Sequence, residues 1–398
     1  MTSGIPCRAM PRHRRSLRRI VIVVAFGLVA TCCVAEASPS APPSPAPSPS
    51  AASTASIDPG SSPSPVASRP PSSPTAPTSP GPSGPAAWSR LDAGGDTPPA
   101  REDHTWTVDP ATGIAYLFGG RDGADIRGDL FEFDPANARW RRLEPAGPRP
   151  EARFGHEAVW VDGRGLVIFA GQAGPTAFFD DLWAYEPGSG RWTRLAAGGD
   201  RPVARYGSCA AIGRDGRLWI SHGFTSEGSR FFDTKAYDFG SGRWTDETPA
   251  GQVPVARCLH GCFVAEDGRF VLYAGQTTGV EALGDLWALR RPGRATAGWT
   301  RVDGRLPAER RLYAYARVEG AWVVIGGQGL GGRYLADAHV VDAETLRVAP
   351  LRTSGDRPSG RSGATLIADG SRLFLFGGMD RSGARADLWQ LDLAGSLD

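Results

Sequence analysis

The sequence predicts an all-β protein, a six-bladed β-propeller with four antiparallel strands per blade. Three observations carry that reading. Six copies of one pattern, each about 50 residues long, run through 88–398: an Arg, an apolar stretch ending in Gly, an Asp-led segment and, in the first four, a Trp. The apolar stretches are short and end in turn residues. No segment inside the copies sustains a 3.6-residue period, so helices are not expected.

The register holds residue by residue. The closing glycines are Gly120, Gly171, Gly223, Gly275, Gly327 and Gly378, and the aspartates are Asp129, Asp181, Asp233, Asp285, Asp337 and Asp387. An Arg three residues after a Pro opens each copy, at Arg101, Arg153, Arg205, Arg257, Arg310 and Arg361. Ile114–Phe118, Leu166–Phe169, Arg269–Tyr273 and Leu373–Phe376 are rich in leucine, β-branched and aromatic residues, as strands are. Asp162-Gly163, Asp215-Gly216, Asp267-Gly268 and Asp369-Gly370 precede such runs, where a tight hairpin needs positive φ. Repeated four-stranded sheets with two apolar faces bury both by stacking around an axis.

Ring closure is also legible. The last copy runs out after Asp392 without its Trp, while Trp88-Ser89-Arg90-Leu91 stands alone ahead of Arg101. Trp88 precedes Arg101 by 13 residues, the gap that separates Trp140 from Arg153, Trp192 from Arg205 and Trp244 from Arg257. The segment 88–91 is therefore expected to supply the outer strand of the sixth blade.

Residues 1–37 read as an export signal: Arg8, Arg12, Arg14, Arg15, Arg18 and Arg19 precede an uncharged apolar stretch from Ile20 to Ala35, and Ala35-Glu36-Ala37 offers a small-x-small cleavage site. Cys32 and Cys33 keep a lipoprotein signal in play, and a membrane is reached only through this segment if it is lipidated or left uncleaved. Residues 38–87 hold 16 Pro among Ser and Ala, a composition that builds an extended spacer and not a core. The expectation is an exported monomer, secreted or attached to the cell envelope.

The copies resemble kelch repeats, in which a Gly-Gly doublet ends the second strand, an Asp-Leu-x-x-Tyr-Asp type segment forms the third and a Trp marks the fourth. Phe118-Gly119-Gly120 with Asp129-Leu130-Phe131-Glu132-Phe133-Asp134 and Trp140 matches closely. Asp181-Leu182-Trp183-Ala184-Tyr185 with Trp192, and Phe376-Gly377-Gly378 with Asp387-Leu388-Trp389, match as well. Blade three, with Ser221-His222-Gly223 and Asp233-Thr234, and blade five, with Asp337-Ala338 and no Trp, diverge. The resemblance, including that to exported bacterial kelch proteins, implies a binding module. Its alternative is a carbohydrate-active enzyme of sialic-acid-mutarotase or galactose-oxidase type.

Charge excludes a nucleic-acid partner. Residues 88–398 carry 37 basic and 40 acidic side chains, net −3, and the basicity of the whole chain comes from its first 87 residues. Cys209 and Cys262 fall on opposite faces of adjacent blades, so a bridge between them is geometrically open. Packed sheets lie about 10 Å apart, beyond disulfide reach except near the axis, so the expectation is two separate buried thiols.

Features present in all six copies, the Arg, the Asp and the Gly, are expected to be scaffold; function is sought where the copies differ. Just after the closing Gly stand Arg121, Gln172, Phe224, Gln276, Gln328 and Met379. Three residues after the opening Arg stand His104, His156, Ser208, His260, Tyr313 and Ala364. The resemblance places both positions at the central mouth of the propeller. Arg121, Gln172, Gln276 and Gln328, with His104, His156, His260 and Tyr313, are the candidates to bind a protein, peptide or glycan. The three histidines invite a metal, but blade spacing holds their rings apart, and no metal, cofactor or catalytic set is assigned. Glu102-Asp103 and Asp180-Asp181 are adjacent acids expected to be solvated rim charges.

Overall fold

The computed structural model describes residues 85–303 and 308–393. The export signal expected over 1–37, and the spacer expected over 38–87 except for its last three residues, lie outside the described residues. Within them the chain forms six blade sheets of four antiparallel strands, three of them extended by a short parallel strand, and two further two-stranded ribbons, and the only helical turn there is Leu330–Gly332.

Blade one shows the plan: Thr105–Val108, Ala115–Phe118, Leu130–Asp134 and Arg139–Leu143 pair in sequence order. The first strands are Thr105–Val108, Glu157–Val161, Cys209–Ile212, Gly261–Val264, Ala314–Val318 and Thr365–Asp369, and they stand innermost, against those of neighbouring blades. The sixth blade closes as expected. Ala86–Leu91 pairs antiparallel with Leu388–Asp392, and Trp88 lies opposite Leu391. That register is the one in which Trp140 faces Phe133, Trp192 faces Tyr185 and Trp244 faces Tyr237. The closing strand starts at Ala86, two residues earlier than the sequence pattern marks.

The core is six clusters, each spanning one seam between adjacent blades. Phe131, Phe133 and Trp140 meet Phe374 and Phe376 across the seam of blades one and six, and Phe118 meets Ile168 and Trp192 across the next. Alternate residues of a strand point to opposite faces, so every blade feeds two seams.

Each opening Arg is fully or almost fully buried and makes the same contacts. In blade one, Arg101 Nη1 donates to Asp129 Oδ1 at 2.7 Å and to the Gly119 carbonyl at 2.9 Å, Nη2 donates to Asp129 Oδ2, and Nε donates to the Pro99 carbonyl. The planar fork matches a carboxylate at two points and satisfies orphan carbonyls at the strand end. The same bidentate pair recurs at Arg153–Asp181, Arg205–Asp233, Arg257–Asp285, Arg310–Asp337 and Arg361–Asp387. The recurring Arg and Asp are scaffold, as their sixfold presence suggested.

The closing Gly follows from the same geometry. Gly120 has φ of 93°, and a Cβ there would stand 2.7 Å from His104 Cβ and 2.8 Å from the Glu102 carbonyl oxygen. Only glycine accepts both the left-handed backbone and the approach of the inner strand.

Blades three and four depart from expectation. Cys209 and Cys262 form a disulfide, with Cα atoms 5.6 Å apart. The mean sheet separation does not apply at the inner strands, which converge on the axis, and both cysteines belong to that seam's core cluster. Cys258 is a free, buried thiol.

Candidate functional site

The buried Arg–Asp pair fixes the two segments that meet at the rim of each blade. The residue after the opening Arg and the residue after the closing Gly exchange reciprocal backbone hydrogen bonds. The pairs are Glu102 with Arg121, Phe154 with Gln172, Tyr206 with Phe224, Cys258 with Gln276, Arg311 with Gln328 and Ser362 with Met379. Twelve side chains thus crown the mouth in six neighbouring pairs.

Beneath them runs a closed ring. Asp103, Gly155, Gly207, Leu259, Leu312 and Gly363, the second residue after each opening Arg, all have φ between 52° and 62°. Each N–H donates to the carbonyl of the equivalent residue one blade earlier, from Gly155 to Asp103 at 2.8 Å round to Asp103 to Gly363 at 2.9 Å. Six interblade hydrogen bonds circle the axis with none left over.

The mouth has three sectors. In the first, Arg121 pairs with Glu102 and Asp103, both at 3.2 Å, and its guanidinium lies 4.3 Å from the Phe154 ring centre. Glu102 and Asp103 are buried. Burial, followed by the charge of Asp103, pushes the Glu102 carboxyl up to about 8 against the pull of Arg121. Burial also raises Asp103. These acids were expected to be solvated rim charges; they are enclosed because the ring and the Phe154 face cover them.

The second sector is aromatic: Tyr206 meets the rings of Phe154, Phe178 and Phe224 edge-on, with centres 5.9–6.3 Å apart. Arg230 closes it, over Phe224 and hydrogen-bonded to Thr278. Gln172 lies in this sector and turns back on its own loop, Nε2 donating to the Gly174 carbonyl at 2.6 Å.

The third sector is built on Arg311. Its Nη1 donates to Gln276 Oε1 at 2.5 Å, and its Nε and Nη2 donate to Gln328 Oε1 at 3.0 and 2.7 Å. Among the described residues no carboxylate pairs with it. Both glutamine oxygens face the guanidinium, which leaves a half-buried cation held only by neutral amides.

The structure brings Arg121, Gln172, Gln276 and Gln328 to one rim. His104, His156, His260 and Tyr313 lie on the other side of the backbone ring, in the seams. His104 Nε2 shares a hydrogen bond with Thr365 Oγ1 at 2.7 Å and His156 Nε2 with Thr105 Oγ1 at 2.8 Å, each to the preceding blade. His260 packs edge-on to His222, and Tyr313 Oη accepts from the Gly261 amide while donating to the Tyr273 carbonyl. Burial keeps these imidazoles neutral, with His156 and His260 pushed down to about 3. Sequence reasoning missed Arg311, Tyr206 and Phe154. They follow the recurring Arg directly and vary as freely as the residues after the Gly, which is the signal that could have found them.

Residues 85–275 and 248–396 match the profile of the KLHDC2/KLHL20/DRC7 kelch-repeats domain. The chain belongs to the kelch-repeat family. Among curated proteins this kelch chain is 27% identical over 246 residues to a chicken (Gallus gallus) Rab9 effector protein with kelch motifs, which covers 62% of this chain and 53% of that protein. It is 30% identical over 170 residues to human (Homo sapiens) multiple epidermal growth factor-like domains protein 8, over 41% of this chain and 6% of the relative. It is 28% identical over 209 residues to the N-(sulfonatooxy)prop-2-enimidothioate sulfolyase of Thlaspi arvense, over 47% of this chain and 58% of the relative. The matched part of the chain thus spans about half of the first of these relatives and far less of the second.

Proposed function

We propose that this kelch propeller is an exported binding module that captures a protein or peptide partner at the mouth, with an anionic group of the partner on Arg311. The uncompensated guanidinium carries the reading. A half-buried Arg with only amide partners is preorganised for a carboxylate, and the aromatic sector offers apolar area beside it. Kelch propellers commonly act as protein-interaction modules, and the chicken relative's name calls it an effector. The Cys209–Cys262 bridge supports export, since such bonds persist in oxidising compartments.

The test is affinity selection from an acidic peptide library on the full chain, followed by Arg311→Ala and Gln276→Ala. Both substitutions should weaken capture of the selected peptides, Arg311→Ala by roughly tenfold or more, as expected for a charge-assisted contact. Undiminished capture by Arg311→Ala refutes the site.

One observation favours a second reading, a carbohydrate-active enzyme: the raised Glu102 carboxyl beside Asp103 is suited to proton transfer near neutrality. Anomeric exchange followed by NMR on a sugar panel, with peroxide release, decides it; activity that Glu102→Gln abolishes supports the enzyme.

A further inference from the structure

Below the backbone ring the inner strands enclose an axial channel of about 870 Å3, running from the ring residues to the first hairpins at Pro110, Asp162, Gly216 and Arg317. Its wall is largely apolar, with Val108, Val159, Ala211, Ile212, Val264 and Ile367 among the lining residues. Three acids line it: Asp103 at the ring, Asp162 at the blade-two hairpin, and Glu157 between ring and hairpins.

The sixfold equivalence shows why this position is unusual. The fourth residue after each opening Arg faces the third residue of the next blade. Thr365 meets His104 and Thr105 meets His156 in this way, and both pairs are hydrogen-bonded. Between blades two and three the corresponding residues are Glu157 and Ser208. Ser208 is 2% exposed and its Oγ has no hydrogen-bond partner among the described residues. A serine is too short to reach where an imidazole reaches. Glu157 likewise has no ion pair, and burial alone accounts for the rise of its carboxyl to about 8. Its charge bears on Tyr315 of blade five, across the channel from blade two, and its sequence neighbour His156 is held neutral.

We propose that the axial channel is a second binding site, separate from the mouth, that takes the ammonium group of a slim alkylamine at Glu157 and Ser208. The ammonium N–H groups donate to the Glu157 carboxylate and to Ser208 Oγ, satisfying both, while the alkyl chain lies along the apolar wall towards the hairpin end. Charge complementarity selects a cation, because an ammonium is the partner that lets the half-buried, unpaired Glu157 carboxyl ionise. The largely apolar wall selects an alkyl chain over a polar one.

The experiment titrates butylammonium chloride, with butanol as the neutral control, into the full chain, read by calorimetry and by NMR of the Ala158, Ser208 and Ala211 signals. Butylammonium should bind and shift those signals while Arg311 and Gln276 stay unmoved, and butanol should not bind. Glu157→Gln should weaken binding by roughly tenfold or more, and Ser208→Ala by less. Equal binding of butanol, shifts confined to the mouth, or undiminished binding by Glu157→Gln would each overturn the assignment. The butylammonium and butanol comparison on the native chain decides even where a variant fails to fold.

Discussion

Cys209 of blade three is joined to Cys262 of blade four, so a covalent bond crosses a seam also held by side-chain packing, by the Leu259 N–H to Gly207 carbonyl bond and by Arg230 donating to Thr278. It closes a loop of 53 residues, and a bridge of that span contributes about 2–4 kcal/mol. Reduction, or Cys209→Ser, should lower the melting temperature, and intact mass before and after alkylation in denaturant without reductant should show one alkylated thiol, Cys258, in the described part of the chain. Full alkylation of all three would contradict the bond.

Trp88 is the outermost aromatic of the sixth blade and is 6% exposed. Its removal opens a void beside Leu391 in the cluster both share with Ala316 and Leu373. Trp88→Ala should cost about 3–5 kcal/mol, the range for a buried large-to-small change, and deletion of 86–91 should cost more because the ring is opened. A denaturant melt of each variant checks this, and an unchanged midpoint would mean that the ring closes without the strand.

The fold was readable because its markers repeat and each has a local duty: Arg101 needs Asp129, Gly120 needs to admit His104, and Trp140 needs Phe133. Function is asymmetric by nature, and a sixfold average hides it. Arg121, Gln172, Gln276 and Gln328 could be placed on the rim because each follows a fixed Gly. Arg311 could not, since it looks like a repetition of Arg310. The disulfide was missed for a different reason, that a mean sheet spacing was applied where the sheets converge.

Glu157 gives a pH dependence with a definite sign. Its carboxyl is higher in the folded chain, about 8 against an ordinary 4.5, so the folded state binds the proton more tightly. Stability attributable to this group is therefore greatest below about 4.5 and falls as pH rises towards 8. Glu102 falls in the same window, so the informative quantity is the difference between native protein and Glu157→Gln. The variant should lose part of the decline between those limits in melts taken across pH, and identical slopes would refute the shift.

Arg310 and Arg311 are adjacent and should behave oppositely. Arg310 is fully buried, bidentate to a partly exposed Asp337 and bonded to the Gly326 carbonyl, so Arg310→Leu leaves that buried carbonyl unsatisfied and should destabilise by about 1–3 kcal/mol. Arg311 gives up only hydrogen bonds to two amides that can turn to water, so Arg311→Leu should cost about 1 kcal/mol or less in stability. Capture of acidic peptides should show the reverse order: intact folded Arg311→Leu protein should lose it, while whatever fraction of Arg310→Leu remains folded should keep it. Parallel melts and binding isotherms on the two variants test the division. If Arg311→Leu were as unstable as Arg310→Leu, Arg311 would be scaffold and the proposed anion contact would fail.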